Sequence, residues 1–362
     1  MRKIRKLIIT RILIAVLAGV GIIVFIKILP RMYAKTEETS VTVIAEGSGV
    51  SDEYTNVSKE PAGIDEKKSS SVSDVSSSSE LGEDVKEDDG SGSGGGTFSL
   101  TMLNVGQGLS ILISCEDEEG WHYLLYDGGN RDASSYVVSY LNSQGITYLE
   151  DIIVSHYDED HVAGVVGCLN VYSAGCVYDP DYEADTKIYQ SYIEKLSANG
   201  AKRRHPSVGE SFSLGDAEVT FIAPASYEAE DENNLSLVVR IVYGETSYII
   251  TGDAEEEEEE EMLSSGCVLK SDLYVVGHHG SSSSSSSSFV NAVAPSYAFI
   301  SCGEGNDYGH PTKKTLNTLK GICEGIFRSD KQGEVTAYSD GKTIRFSTEP
   351  TDDMTPGVYN MS

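Results

Sequence analysis

The sequence predicts an α/β body of packed β-sheets flanked by helices, carried behind an apolar N-terminal span and an acidic linker. Three observations support this. Short apolar runs of strand length crowd into residues 98–127 and then alternate with helix-length patterns as far as residue 347. Several of these runs end on, or just before, aspartate or histidine. The charge is also segregated: the chain has 362 residues and a net charge of −30, yet residues 1–35 hold eight basic residues and no acid.

Within that basic segment, residues 7–29 are apolar apart from Thr10, Arg11 and Lys27. Both charges lie near its ends, where long side chains reach the interface, so the run is long enough to span a bilayer. A cleaved signal peptide competes, but it needs a small-residue cleavage site and Ala34 offers only a weak one. The expectation is one uncleaved transmembrane helix over 1–35, with the membrane as a partner. Five basic residues precede the apolar centre and three follow it, which favours an N-terminus inside. That orientation makes the chain a single-pass cell-membrane protein with an extracytoplasmic body.

Residues 36–96 carry 4 basic and 15 acidic side chains among serines and glycines, ending in EDDGSGSGGG. Too little apolar surface is present to offset chain entropy, so this segment reads as a disordered, self-repelling linker. The body then runs over 97–349, with a tail over 350–362. Expected strands lie at 98–103, 109–114, 121–127, 151–155, 218–224, 235–243, 246–252, 272–276 and 297–301, with a closing pair in EVTAYS and TIRFS. Expected helices lie near 133–144, 161–170, 186–198, 254–265 and 312–322. Residues 97–362 hold 15 basic and 42 acidic side chains, and Lys202, Arg203 and Arg204 are their one basic run. Non-specific binding of a polyanion is therefore disfavoured.

The densest chemistry is in DIIVSHYDEDHVAGV, where a buried strand pattern is followed by His156, Asp158, Asp160 and His161. Two imidazoles and two carboxylates this close suit divalent metals. The competing reading is an acidic turn with Asp158 or Asp160 as helix N-cap. Asp253 follows the strand in TSYIITGDAE, and His278 and His279 follow the strand in DLYVVGHHGS. Alone, Asp253 reads equally as an N-cap and the two histidines as a polar loop. Three strand ends of this kind in one body favour a shared rim site.

The ordered motifs FSLTMLNVGQGLSILI, LLYDGG, SHYDEDHVAG, NNLSLVVRIVYGETSYIITGDAE, VGHHGSS and NDYGHP resemble the metallo-β-lactamase-fold domain of ComEC-type competence proteins and their stand-alone relatives. The resemblance spans about residues 98–347. It implies an α/β, αββα four-layer sandwich with two divalent metal ions at one edge. By that likeness His156 and Asp158 hold one metal, Asp160 and His161 the other, Asp253 bridges, and His278 completes the second site with His279 as its alternative. Asp158 and the Asn233/Asn234 region replace histidines of the wider superfamily, which keeps manganese open beside zinc. The implied nucleophile is a metal-bound hydroxide, with Asp160 and His310 of NDYGHP as catalytic residues, His310 for phosphate contact or proton donation. A polar cap on the following helix is the other reading of His310. His122 and His205 match no motif and read as structural or exposed.

Two carboxylates expected beside the VGQG turn are replaced by Asn104 and Leu109, while Asp127 of YDGG is kept and suits a supporting role. The glutamates at 255–261 read as a solvated helix face, and the serines at 281–288 as loop and helix cap, with Ser281 a candidate donor to a substrate oxyanion. The six cysteines show no Cys-x-x-Cys spacing; Cys168 and Cys176 could form a local disulfide or stay free. The leading function is a membrane-tethered di-metal hydrolase of phosphodiesters, DNA among the nucleic acid substrates, with no obligate protein partner. Alternatives are a hydrolase of cell-envelope phosphoesters, lactones or lactams, and a non-catalytic surface binding or sensing module with a degraded site. The competence relatives carry this domain beside a multi-span channel, so DNA uptake by this chain alone is not expected.

Overall fold

A computed structural model of the chain describes residues 97–358. The expected anchor over 1–35, the linker over 36–96 and the last four residues lie outside the described residues. Among those described, no helix is long and apolar enough to cross a membrane.

The chain passes through two similar halves. The first contains β1 (Phe98–Met102), β2 (Ile111–Asp117), β3 (Gly120–Tyr126), α1 (Ser134–Ser143), β4 (Tyr148–Ile153), α2 (Glu159–Val171), β5 (Ser173–Tyr178), α3 (Lys187–Asn199) and β6 (Lys202–Arg204). The second contains β7 (Ser211–Leu214), β8 (Ala217–Ala223), β9 (Val238–Tyr243), β10 (Thr246–Ile250), α4 (Glu256–Ser265), β11 (Leu273–Val275), α5 (Ser287–Val293), β12 (Tyr297–Ile300), α6 (Lys313–Lys320) and β13 (Gly325–Arg328). A last stretch adds α7 (Ser329–Gln332), β14 (Val335–Ser339) and β15 (Ile344–Phe346). Each half opens as an antiparallel meander and continues with parallel strands joined by crossover helices. One sheet has the order β15-β14-β1-β2-β3-β4-β5-β6 and the other β13-β12-β11-β10-β9-β8-β7.

Burial follows from the strand patterns. In β1 the alternation sends Phe98, Leu100 and Met102 between the sheets, where they meet Val239, Ile241 and Ile250 of the facing sheet. A second apolar cluster joins α1, α2 and α3 to the outside of the first sheet through Val137, Leu141, Val162, Val165 and Leu196. A third joins α4, α5 and α6 to the outside of the second through Met262, Phe289, Val290 and Leu319. Three clusters separating four layers make the αββα sandwich that the motifs imply. The central strand β10 is buried at all five residues, as a strand covered on both faces must be.

Four strands and two helices have no counterpart in the expected elements. β5 opens Ser-Ala-Gly with little apolar signal, and the edge strand β6 is exposed throughout. β7 and β13 are four residues each, and α5 and α7 are short, α5 starting within the serine run with Ser286 as its N-cap. The expected helix at 312–322 begins one residue later, with Thr312 as N-cap accepting from the Thr315 amide. His310 is therefore not that cap.

Other expectations need correction. For the cysteines the free alternative holds, and all six are free thiols. Cys168 lies in the cluster outside the first sheet and Cys176 packs against the inter-sheet cluster, so the sheet itself separates them. The glutamate run is not uniformly solvated: Glu258 and Glu259 on α4 are buried. Glu259 accepts from the Ser285 and Ser286 amides at 2.6 and 2.9 Å. Neither oxygen of Glu258 has a partner, and burial pushes its pKa well above the usual range, which favours the neutral acid. In the tail, residues 350–358 pack back on the domain. The buried Arg328 guanidinium donates to the Asp353 and Thr355 carbonyls at 2.9 and 2.7 Å, and the Thr351 amide donates to the Ile326 carbonyl at 2.8 Å.

Asp151 of β4 pairs in register with Cys176 and is buried. Burial, aided by the Glu150 charge, pushes its pKa up to about 7. A folded-state pKa above the unfolded value means the native state binds more protons between pH ~4 and ~7. The contribution of Asp151 to stability therefore declines as pH rises through that window. Asp151→Asn is expected to remove this decline, matching the parent below pH ~4 and exceeding it by about 1–3 kcal/mol at pH 8. Urea melts at the two pH values measure it, and parallel pH profiles for parent and variant would contradict the assignment.

Candidate metal centre

The C-terminal ends of β3, β4, β10 and β11 deliver polar residues to one edge of the sandwich. Asp127, directly after β3, takes a left-handed backbone with φ 56° and is fully buried. Its carboxylate accepts from the Ser155 amide at 2.8 Å, the Ser155 hydroxyl at 2.7 Å and His161 Nδ1 at 2.8 Å. Asp127 thus stands behind His161 and Ser155 as their hydrogen-bond acceptor. It sets the His161 tautomer, because a proton on Nδ1 leaves Nε2 as a lone pair aimed away from the carboxylate.

The same arrangement recurs at two more imidazoles. His279 Nδ1 donates to the Ser301 carbonyl at 3.0 Å, and His156 Nδ1 lies 3.0 Å from the Ser155 hydroxyl, whose own proton goes to Asp127. Three Nε2 atoms therefore converge. His161 Nε2 lies 3.3 Å from His279 Nε2 and 3.1 Å from Asp253 Oδ1. His279 Nε2 lies 3.3 Å from Asp160 Oδ2 and 3.4 Å from Asp253 Oδ2. His156 Nε2 and Asp253 Oδ1 are buried and have no hydrogen-bond partner. Acceptors gathered this closely repel one another unless a cation or protons lie among them.

Two sets of ligand atoms lie within 4.8 Å of one another: His156, His161 and Asp253, and Asp160, His161 and His279. Mixed imidazole and carboxylate donors, two orphaned buried atoms and second-layer hydrogen bonds to Nδ1 fit divalent metals. Asp158 has the backbone of the α2 N-cap but makes no side-chain cap bond. Its Oδ2 lies 3.8 Å from His156 Nε2, at the exposed rim. Asp253 is not a helix cap; Ser236 Oγ receives its amide at 3.1 Å and presents its carboxylate to the cluster.

The protein charges alone pull protons into this cluster. Burial lowers the His279 pKa, but the Asp253 and Asp160 carboxylates outweigh it and push it up to about 9. His161 is likewise raised against its burial by Asp253 and Asp127. Burial raises Asp253 and Asp160, yet the neighbouring imidazoles hold both below the usual carboxylate range. Metal entry must displace these protons, so affinity rises with pH.

His278, the expected ligand, does not take that position. Both histidines have left-handed backbones, φ 48° and 54°, and their rings diverge at 76°. His279 is buried in the cluster; His278 sits at the mouth, its Nδ1 on Glu255 Oε1 at 3.0 Å and its Nε2 3.7 Å from Asp253 Oδ2. Adjacency to a strand gave no orientation, because Val276 and Gly277 separate β11 from the histidines. His310 stands beside them, with ring centroids 5.6 Å from His278. Its Nδ1 is buried without a partner, and burial with the His279 and His278 charges lowers its pKa to about 4. It is neutral at pH 7 and suits hydrogen bonding to substrate better than proton donation.

Ser281 bonds to Ser283 within its own loop, at 2.9 Å between hydroxyls. Asn234 Oδ1 accepts the Glu255 and Glu258 amides, capping α4. Asn104 is exposed, and Leu109 lies in the inter-sheet core. Gly108, with φ 137°, is where the VGQG turn meets the backbone of Asp160; a Cβ would overlap the Asp160 carbonyl, and the Leu109 amide donates to that carbonyl at 3.1 Å. His122 pairs with Asp117 at 3.0 Å, and His205 with Asp179 at 3.2 Å, both away from the cluster. Arg203 pairs with buried Asp179 at 2.7 Å and Arg204 with Glu210, so two of the three residues of the basic run are engaged internally, while Lys202 is exposed. Ser155, Ser301 and Glu255 complete the surroundings without any local signal: a serine hydroxyl or a carbonyl becomes a histidine's partner only through packing.

A family model described as the metallo-β-lactamase superfamily matches residues 103–304. The chain is 31% identical over 237 residues to a competence protein ComA of Neisseria gonorrhoeae, covering 65% of this chain and 31% of that protein. It is 29% identical over 273 residues to ComE operon protein 3 of Bacillus subtilis (strain 168), covering 69% of this chain and 34% of that protein. The chain thus spans about a third of the length of these curated relatives. Among solved structures, it is similar to the metallo-β-lactamase fold protein YhfI from Bacillus subtilis, at 15% identity and a TM-score of 0.45, covering 67% of this chain and 100% of that one. With more than half of its residues matched by the family model, the chain belongs to the metallo-β-lactamase superfamily.

Proposed function

We propose that this domain is a divalent-metal-dependent phosphodiesterase, held at a membrane by its N-terminal segment with the body outside the cytoplasm. The observation that carries the reading is the convergence of His156, Asp160, His161, Asp253 and His279, with His156 Nε2 and Asp253 Oδ1 buried and unpartnered. His156 and Asp253 would hold one cation, with Asp158 at its rim, and Asp160 and His279 the other, with His161 common to both sets. Zinc or manganese bound there would polarise a phosphoryl oxygen and lower the pKa of water. The chain's own residues do the rest. Asp127, Ser155 and the Ser301 carbonyl hold the imidazoles in one tautomer. Neutral His310 offers a hydrogen bond to a substrate oxygen at the mouth.

Arg203 and Arg204 are paired internally, so the one run of three basic residues among the described residues offers little grip on a polyanion. This favours recognition of a single phosphodiester group, whether in a nucleic acid end or a cell-envelope polymer, over grip on a long duplex. Hydrolysis of lactones or lactams is the second reading, and a non-catalytic binding module the third.

The test is turnover of bis(p-nitrophenyl) phosphate by the full chain loaded with manganese or zinc. Activity that disappears in Asp160→Ala supports the proposal. Turnover confined to a lactone or a β-lactam transfers the assignment to that ester class. Two bound metals with no turnover of any of these would leave a binding module.

A further inference from the structure

The outer face of the eight-stranded sheet is covered by α1, α2 and α3 over only part of its width. Across β14, β1, β2 and β3 the outward positions fall into one row: Tyr338 opposite Ser99, Ser99 opposite Ser114, and Ser114 opposite Tyr123. Two small hydroxyl residues between two tyrosines make a trough of about 390 Å³. Trp121, two residues back along β3, runs nearly parallel to Tyr123, with planes 12° apart and centroids at 6.4 Å. Tyr140 of α1 closes the trough, and among the described residues no lysine or arginine lines it. Trp121 and Tyr338 are each 44% exposed, an unusual state for large rings that could have been covered by a helix. Trp121 lies near the start of β3 while Asp127 follows its end, so the trough lies toward the opposite strand ends from the metal cluster.

Partly exposed aromatic rings beside hydroxyls, with no cation among the described lining residues, match the chemistry of an uncharged sugar. A gluco-configured pyranose carries axial C–H bonds on its flat faces for stacking and equatorial hydroxyls at its rim for hydrogen bonding. β-1,4 linkage keeps successive rings in one ribbon, the form an open trough accepts. A nucleic acid could also stack here. Its phosphates, however, would meet two carboxylates beside the trough, Glu150 on the amide of its Tyr123 at 2.7 Å and Glu334 next to its Tyr140. We propose that this trough binds an uncharged β-1,4-linked glycan strand of gluco configuration, at a site separate from the metal centre.

Trp121 is the only tryptophan of the chain, so its fluorescence reports directly on the trough. Titrating the full chain with the N-acetylglucosamine hexamer or cellohexaose is expected to give a saturable change in that fluorescence. Tyr338→Ala, on the exposed wall, is expected to weaken binding about tenfold or more. Ser99→Gln, which fills the floor, should do the same, with melting temperature and bound metal unchanged in both. The proposal is overturned by no saturable response to either sugar, by parent-like binding in both variants, or by oligothymidylate binding as tightly as the sugars.

Discussion

His279→Ala is expected to lose about one of two bound metal equivalents and at least about 10³ in kcat/KM on a phosphodiester, while His278→Ala keeps both metals and stays within about tenfold of the parent. The contrast rests on two adjacent residues of one type with different surroundings. His279 is buried with its Nδ1 spent on the Ser301 carbonyl, which leaves its Nε2 facing Asp160 and Asp253. His278 is partly exposed and its Nδ1 is tied to Glu255. Metal content by mass spectrometry, read beside kinetics, separates the two. Equal loss of metal in both variants would show that His278 is a ligand after all.

Gly164→Ala is expected to destabilise the domain by about 3 kcal/mol, lowering its melting temperature by about 6–12 °C, although it adds one methyl group to a helix. In an ordinary exposed helix this change stabilises by a few tenths to 1 kcal/mol. Here the added Cβ would overlap the Gly128 carbonyl, and a Cβ on Gly128 would overlap the Val165 amide. α2 and the turn after Asp127 are pressed backbone to backbone, with the Gly128 amide on the His161 carbonyl at 2.8 Å and the Gly164 amide on the Gly129 carbonyl at 3.0 Å. Backbone cannot swing aside as a long side chain can. Because this contact seats Asp127 beneath His161, the variant should also bind metal more weakly. Calorimetry with and without metal measures both effects, and a melting temperature at or above the parent's would remove the steric argument.

Much of the fold was legible because its strong elements obey local rules. β1 alternates, α3 carries Thr186 and Gly200 at its ends, and β10 is apolar throughout. Elements with weak periodicity escaped: β6 is three exposed residues at a sheet edge, and α5 hides in a serine run. The glutamate run misled for a related reason. Like charges on a helix suggest solvent, but the Ser285 and Ser286 amides supply partners to Glu259 from a distant loop, which composition cannot reveal.

The same division holds at the site. Residue types and order alone specified that histidine and aspartate stand at strand ends, because a strand followed by polar ligands and a helix is a local pattern. That is enough to name His156, Asp160, His161 and Asp253 as candidates, and to suggest Asp127 behind them. Tertiary structure decided which of His278 and His279 turns inward, because two consecutive left-handed residues send neighbouring side chains apart. It decided that Arg203 and Arg204 answer internal acids, and that Ser99 and Ser114 lie in one row between tyrosines. Direction and partnership are properties of packing between segments far apart in the chain, and no window of sequence contains both sides of such a contact.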